Sequence, residues 1–295
     1  MNSRINIFFA LDANYLPHTV AAMASVLSNA KEEETIHFYL ASEDIDSHSK
    51  AKIAELKKIK DCSVEYPILP ANWRDIFSGV ITYGCINVYA YLKLLIPAIC
   101  PELERILYLD GDTIARGSLA ELYNTDMEDF YFAGVEDFDH KIHRPPLGYA
   151  DCFPYINCGV VLVNNKKILA DHPSYIVELG NKIKGSKLPL ESGAQNVLNC
   201  FFHTKIKQIG FKWNCHLSQY FTKIKSHSHK LTAPLRSLFD KRIIHFAGGK
   251  HKPWLPHSRH PNKALYARYQ AMTPWADVPA SKKGENESHV AEIDK

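Results

Sequence analysis

What the sequence lacks narrows its class first. Its 295 residues contain no apolar run of about 18 or more, so no segment is long enough to cross a bilayer as a helix. The opening stretch "MNSRINIFFALDANY" turns polar after a short apolar run and offers no small-residue cleavage site, which predicts no secretory signal. The seven cysteines are odd in number and form no CxxC pair, which argues against a disulfide framework or a zinc knot. A reducing cytoplasm is the compartment this predicts. Acidic residues are almost missing from Ser192 to Ala276, where 14 Lys and Arg stand against the single Asp240. From Met1 to Glu191 the balance is reversed, 18 basic against 26 acidic, so the net charge of +3 hides an asymmetry. A basic block attracts anions: the phosphates of a nucleotide, a phosphorylated acceptor, or the acidic inner face of a membrane met peripherally. A solvated surface is the plain alternative. No nucleic-acid-binding motif accompanies the charge, so nucleic acid is not an expected partner.

What is present is an alternating α/β pattern. "INIFFAL" predicts a buried strand, "YLPHTVAAMASVLSNA" a helix and "TIHFYLAS" a second strand, a βαβ unit that implies parallel pairing. A polar helix is expected at about Ser47–Lys60 and a short strand at "CSVEYPI". "INVYAYLKLLIPAIC" carries apolar residues at helical spacing, with Pro97 and Pro101 expected to stop it. It leads into the strand of "ILYLDGDTIARGSL", after which "SLAELYN" reads as a short helix capped by Ser118 and "FYFAGVED" as a strand. The stretch from His140 to Pro154 reads as a loop, followed by a strand at "YINCGVVLVNN" and a helix beginning in "ESGAQNVLNCFF". Periodicity is poor from Thr222 to Lys241, "RIIHFAGG" gives a last strand, and a disordered tail is expected from about Ala280. Strands alternating with helices at this spacing predict a doubly wound α/β layer.

Open sheets of this kind bind ligands at the carboxyl ends of their strands, and polar residues collect there. Asp110 and Asp112, separated by Gly111, emerge from the apolar run Ile106–Leu109. A turn at Gly111 can aim both carboxylates at one hard cation such as Mg²⁺ or Mn²⁺, which takes oxygen ligands and bridges to substrate phosphates. Asp and Gly are also ordinary turn residues. His245 ends another apolar strand, where an imidazole is either a ligand or a satisfied core residue. Beyond it, Gly248 and Gly249 permit close approach of a phosphate, and Lys250 or Lys252 could neutralise it. Asp12 and Asn14 close the first strand, as ligand contacts or as a helix cap, and the amide of Asn157 opens a strand that is otherwise apolar.

The ordered set "FALDANY", "YLDGDTIARGSLAELYNTD", "YINCGVVLVN", "QNVLN", "IIHFAGGKHKPW" and "YARYQAMTPW" resembles the family 8 retaining glycosyltransferases, which include bacterial lipopolysaccharide glucosyl- and galactosyltransferases and glycogenin. The resemblance implies a GT-A fold, α/β and Rossmann-like, with a mixed, mainly parallel sheet flanked by helices. It implies a glycosyltransferase domain over 1–279, with the nucleotide part at about 1–115 and the sugar and acceptor part at about 116–279. It further implies a nucleotide-sugar donor, usually UDP-linked, a divalent Mn²⁺ or Mg²⁺, and a glycan, glycolipid or lipopolysaccharide-core acceptor. By matching positions, Asp110, Asp112 and His245 would bind the metal, and Ala10, Leu11, Asp12 and Asn14 would line the uridine pocket. Gly111 would lie between the metal ligands. Gly248 and Lys252 would hold the diphosphate, with Lys250 a rival because one residue is inserted relative to the commonest spacing. Asn157, Cys158 and Gly159 match the sugar-facing strand, and Gln195 matches the residue beneath the anomeric carbon.

Two positions depart from the family pattern. Tyr91 stands where "YxRL" has a basic residue, and "AQN" replaces "DQD", so that Ala194 and Asn196 stand for acids. In the family, the basic residue and the first acid lie beside the donor sugar. Losing a charge of each sign together is what a rebuilt pocket would look like, since losing one alone would strand the other. This predicts a donor other than plain UDP-glucose or UDP-galactose, such as a 2-acetamido or deoxy sugar. Two alternatives stay open. A Mg²⁺-dependent phosphatase of the haloacid dehalogenase type also opens its site with DxD, though it wants Thr or Val where Ile114 stands. An inactive nucleotide-sugar or glycan binding module could keep the same fold.

Overall fold

In a computed structural model of the chain, the structure describes residues 3–78, 88–137, 153–186, 193–216, 240–249 and 252–277. Most of the loop expected at His140–Pro154, most of the aperiodic stretch Thr222–Lys241, the tail from Ala280 and Lys250 lie outside the described residues.

The strands are β1 (Ser3–Ala10), β2 (Glu34–Ala41), β3 (Cys62–Glu65), β4 (Ile106–Leu109), β5 (Thr113–Ala115), β6 (Phe132–Glu136), β7 (Ile156–Val163), β8 (Ile206–Ile209) and β9 (Ile243–His245). Seven of them form one sheet in the order β3-β2-β1-β4-β7-β6-β8. The pairs β1 with β2, β2 with β3, β1 with β4 and β6 with β8 are parallel, whereas β7 runs antiparallel to both β4 and β6. β7 alone is therefore reversed, and its beginning meets the ends of β4 and β6. β5 and β9 form a separate antiparallel pair.

Alternation of side chains splits the core between the two faces. Ile5, Ile7 and Phe9 of β1 join Leu107, Leu109, Val160 and Leu162 on one face, covered by the helix Leu16–Asn29. Phe8 joins Tyr108, Ile106, Val161 and Val163 on the other, covered by the segment Val88–Ile99 and the helix Ala194–Phe202. Burial on both faces explains why these strands read as continuous apolar runs.

Several expectations are corrected in detail. Pro97 does not stop the apolar helix. Residues 88–95 wind as a 3₁₀ helix, and Pro97 sits in the first turn of the α-turn Ile96–Ile99, where its missing N–H leaves no bond unmade. Ser118 precedes the cap position, and its hydroxyl accepts from Ala120 N at 3.1 Å. β9 pairs with β5 outside the main sheet.

The C-terminal segment is docked on the helix Leu16–Asn29 by a small aromatic cluster. His18 Nδ1 hydrogen-bonds the Tyr266 hydroxyl at 2.6 Å, and its ring stacks on Trp254 at 3.6 Å. Burial drives the His18 imidazole down from 6.5 to about 3, against the pull of Asp112 and with help from Lys252, so it is neutral in the fold. A group that binds its proton better when unfolded leaves stability intact above its unfolded pKa and drains it as pH falls toward the folded one. Between about pH 7.5 and about pH 5, urea unfolding should show the wild type losing about 2 kcal/mol more than His18→Gln. Equal losses in the two proteins would contradict a buried, neutral His18.

Candidate metal and donor site

The site assembles where two strand pairings meet. Asp110 follows β4, and its backbone N–H donates to Gly159 O at 2.8 Å, continuing the β4–β7 ladder by one residue. Asp112 precedes β5, and Phe246 N donates to Asp112 O at 2.9 Å, which sets His245 opposite Thr113. Gly111, between the acids, is required by close approach: a Cβ there would lie 2.3 Å from Thr19 Oγ1 on the covering helix.

One ligand atom from each of Asp110, Asp112 and His245 falls within 4.8 Å of the others. His245 Nε2 lies 3.6 Å from Asp110 Oδ2 and 3.3 Å from Asp112 Oδ1. Each carboxylate has its second oxygen engaged. Asp110 Oδ1 accepts from Tyr108 OH at 2.6 Å and from Lys93 Nζ at 3.0 Å, and Asp112 Oδ2 accepts from Lys252. One oxygen per acid and one imidazole nitrogen thus remain directed at a common point, an O, O, N set suited to Mn²⁺ or Mg²⁺. Burial alone would raise the Asp112 carboxyl, but Lys252 and then His245 outweigh it and hold it well below the usual range. Burial would lower Lys252, yet Asp112 and then Tyr15 push it up, so the buried pair stays ionised.

Gly159 makes this closeness possible. A Cβ at that position would stand 2.1 Å from His245 Cε1 and 2.9 Å from Asp110 Oδ2.

Beside the acids, Gln195, Asn157, Cys158 and Asp137 form a continuous network. Gln195, near the start of the helix Ala194–Phe202, accepts from Cys158 N at 3.1 Å and donates to Asp137 Oδ2 at 3.1 Å. Asn157 donates to the same Asp137 oxygen at 3.2 Å and accepts from Gly159 N at 2.9 Å. Cys158 is buried, its thiol pushed up to about 12 by burial, so it acts as an unreactive wall.

The remaining residues singled out in the sequence are placed less evenly. Asp12 Oδ1 accepts from Tyr15 N at 2.8 Å, closing the turn that precedes the helix Leu16–Asn29 and not capping the helix itself. Ala10, the last residue of β1, is half-buried, and just past it Leu11 is packed in the core and Asn14 is exposed. Gly248 has a left-handed φ of 85° and open space where a Cβ would sit. Lys252 reaches Asp112. Tyr91 is fully buried, its ring 4.8 Å from Phe77 and its hydroxyl without a hydrogen-bond partner, and Ala194 is buried in the same apolar layer. The structure does not bring Tyr91 to the carboxylates. The cation that arrives there from this segment is Lys93, two residues further on, which also donates to Cys158 O at 3.0 Å. Lys93, Asp137 and Asn214 were not signalled by any motif. Lys93 lies inside an apolar run, and Asp137 was visible only as the last acid of "FYFAGVED".

The family model described as "Glycosyl transferase family 8" matches residues 6–258. The chain belongs to glycosyl transferase family 8. It is a glycosyltransferase. It is 26% identical over 298 residues to the lipopolysaccharide 1,2-glucosyltransferase of Escherichia coli, covering 96% of this chain and 83% of the relative. It is 21% identical over 281 residues to general stress protein A of Bacillus subtilis (strain 168), covering 93% and 96%. Among solved structures, the galactosyltransferase LgtC in complex with donor and acceptor sugar analogues superposes with a TM-score of 0.71 at 21% identity, covering 96% of this chain and 100% of that one. The seven-stranded, mostly parallel sheet flanked by helices is thus a GT-A fold. Among the described residues, no helix of this glycosyltransferase is long and apolar enough to cross a membrane.

Gly159→Ala should displace His245 and lower Mn²⁺ affinity by about tenfold or more, the scale on which support of a metal ligand matters. Isothermal titration of the variant with MnCl₂ measures this, and an unchanged affinity would contradict the close approach as a requirement.

Proposed function

We propose that this enzyme transfers a hexose or modified hexose from a UDP-linked donor to a glycan or lipopolysaccharide-type acceptor, with retention of anomeric configuration. The observation that carries the proposal is the convergence of Asp110 Oδ2, Asp112 Oδ1 and His245 Nε2, with Lys252 adjoining them, at the carboxyl edge of a GT-A sheet. A divalent cation bound there would neutralise negative charge growing on a departing diphosphate. Lys252 is placed to share that work by moving from Asp112 to the diphosphate, with Gly248 allowing the chain to approach a phosphate closely. The residues of the end of β1, Ala10, Leu11, Asp12 and Asn14, are assigned to the uridine side.

Gln195 is assigned to the anomeric centre as a positioning group. An amide oxygen is a weak nucleophile, and both ends of this amide are already held, by Cys158 N and by Asp137. Retention then follows from attack by the acceptor hydroxyl on the face the diphosphate leaves, with the leaving phosphate accepting the proton. The E. coli relative is named as a lipopolysaccharide glucosyltransferase, which supports an acceptor of that class. The basic composition of Ser192–Ala276 suits an anionic acceptor or a peripheral contact with a membrane that carries it. Lys93 supplies at the acids the cation that Tyr91 lacks, so the proposal of a donor other than UDP-glucose or UDP-galactose, such as a 2-acetamido or deoxy sugar, rests on the uncharged, buried Ala194.

A panel of UDP-sugars incubated with Mn²⁺, with and without acceptor, tests the reading. The wild type should hydrolyse or transfer a modified sugar in preference, and Asp110→Ala should lose metal-dependent turnover while remaining folded. Preference for UDP-glucose or UDP-galactose would overturn the donor assignment. Undiminished turnover in Asp110→Ala would overturn the metal site.

A further inference from the structure

The direction of every hydrogen bond behind His245 can be fixed from one backbone group. Gly159 N–H can only donate, and it donates to the Asn157 side-chain oxygen at 2.9 Å. The Asn157 amide nitrogen therefore faces Asp137 Oδ2, at 3.2 Å, where a carboxylate accepts it. The Asn214 group that meets the Asn157 oxygen at 2.9 Å must be its NH₂, which leaves the Asn214 oxygen facing His245 Nδ1 at 2.9 Å. An amide oxygen only accepts, so Nδ1 carries a proton. In the neutral ring, Nε2 then presents its lone pair to the point shared by Asp110 Oδ2 and Asp112 Oδ1.

We propose that Asn214 is a positioning residue that fixes His245 in its Nδ1–H form, as part of a relay in which His245 donates to Asn214, Asn214 to Asn157 and Asn157 to Asp137. The proposal rests on the metal-site reading above. The relay is enclosed: Asn214 is fully buried, and Asn157, Asp137 and His245 are nearly so. A buried amide at Asn214 with both ends bonded has no freedom to turn over without breaking two bonds, so the imidazole tautomer is held by the chain of hydrogen bonds that starts at Gly159 N. The relay does for His245 what a hydrogen-bond partner does for many metal-bound histidines: it orients the ring and fixes which nitrogen faces the ligand point. Its far end, Asp137 Oδ2, also accepts from Gln195 Nε2 at 3.1 Å, so the group assigned to the anomeric centre and the metal ligand are tied to one network.

The test uses the full chain with MnCl₂ alone and two readouts, Mn²⁺ affinity by electron paramagnetic resonance and the His245 tautomer by ¹⁵N-histidine NMR of the metal-free protein in alkaline buffer. The wild type should show Nδ1–H at His245. Asn214→Ala should weaken Mn²⁺ by about 10- to 100-fold and bring in the Nε2–H tautomer. Asn214→Asp, which keeps an acceptor against Nδ1–H, should recover most of that affinity and the Nδ1–H signal. An Nε2–H tautomer in the wild type overturns the proposal even if neither variant folds, and so does an unchanged Mn²⁺ affinity in Asn214→Ala. Failure of the wild type to bind Mn²⁺ with or without UDP would instead overturn the metal-site reading on which the proposal rests.

Discussion

The backbone bond from Asp110 N to Gly159 O, 2.8 Å long, is the contact on which the rest of the site depends. It continues an antiparallel pairing past the end of β4 and onto the beginning of β7. In an all-parallel sheet the residues facing the end of β4 would be other strand ends. Reversal of one strand instead brings in Asn157, Cys158 and Gly159 from the start of a strand, so donors and acceptors of the backbone itself are available at the ligand edge. The absence of a side chain at Gly159 then admits His245 from a second, separate strand pair. Three segments far apart in sequence meet at one point because a single strand runs the other way.

Charge balance is the second constraint. Two carboxylates this close repel each other, and Asp112, which is buried, also loses hydration; the fold answers with two lysines. Lys93 is held against Asp110, Cys158 O and the face of Tyr108, and Lys252 is held against Asp112. Removing one member of a buried pair leaves an uncompensated charge that costs about 3–5 kcal/mol. The two cations differ in tether. Lys93 lies on a 3₁₀ segment packed in the core, whereas Lys252 belongs to a terminal segment fastened by the stacking of Trp254 on His18. Under the proposed function, that difference would leave Lys93 as the fixed counter-charge and let Lys252 move to an incoming diphosphate.

The placement of Asp110, Asp112 and His245 at strand ends was legible because apolar runs precede them, whereas their grouping around one cation was implied by the family resemblance and not by the residues alone. The βαβ start and the order of the main elements were legible from such apolar runs. The direction of β7 was not, since its continuous apolar run reads the same in either sense. β5 and β8, three and four residues long, are too short to display a period. Lys93 was hidden because a lysine in an apolar helical run reads as one that reaches back to solvent. Asn214 follows a short 3₁₀ turn, Phe211–Trp213, with no pattern of its own, and its importance lies wholly in what it touches. Tyr91 carries no charge, and the cation that this segment brings to the acids is Lys93, two positions away, a placement invisible without the geometry.

The central claim is that strand reversal builds one divalent-cation site from Asp110, Asp112 and His245. Anomalous diffraction at the manganese edge from crystals grown with MnCl₂ and UDP tests it most directly. The account predicts one strong peak in contact with Asp110 Oδ2, Asp112 Oδ1 and His245 Nε2, bridging to the diphosphate. A peak elsewhere, or UDP bound at this edge with Lys252 still on Asp112 and no metal between the acids, would contradict it.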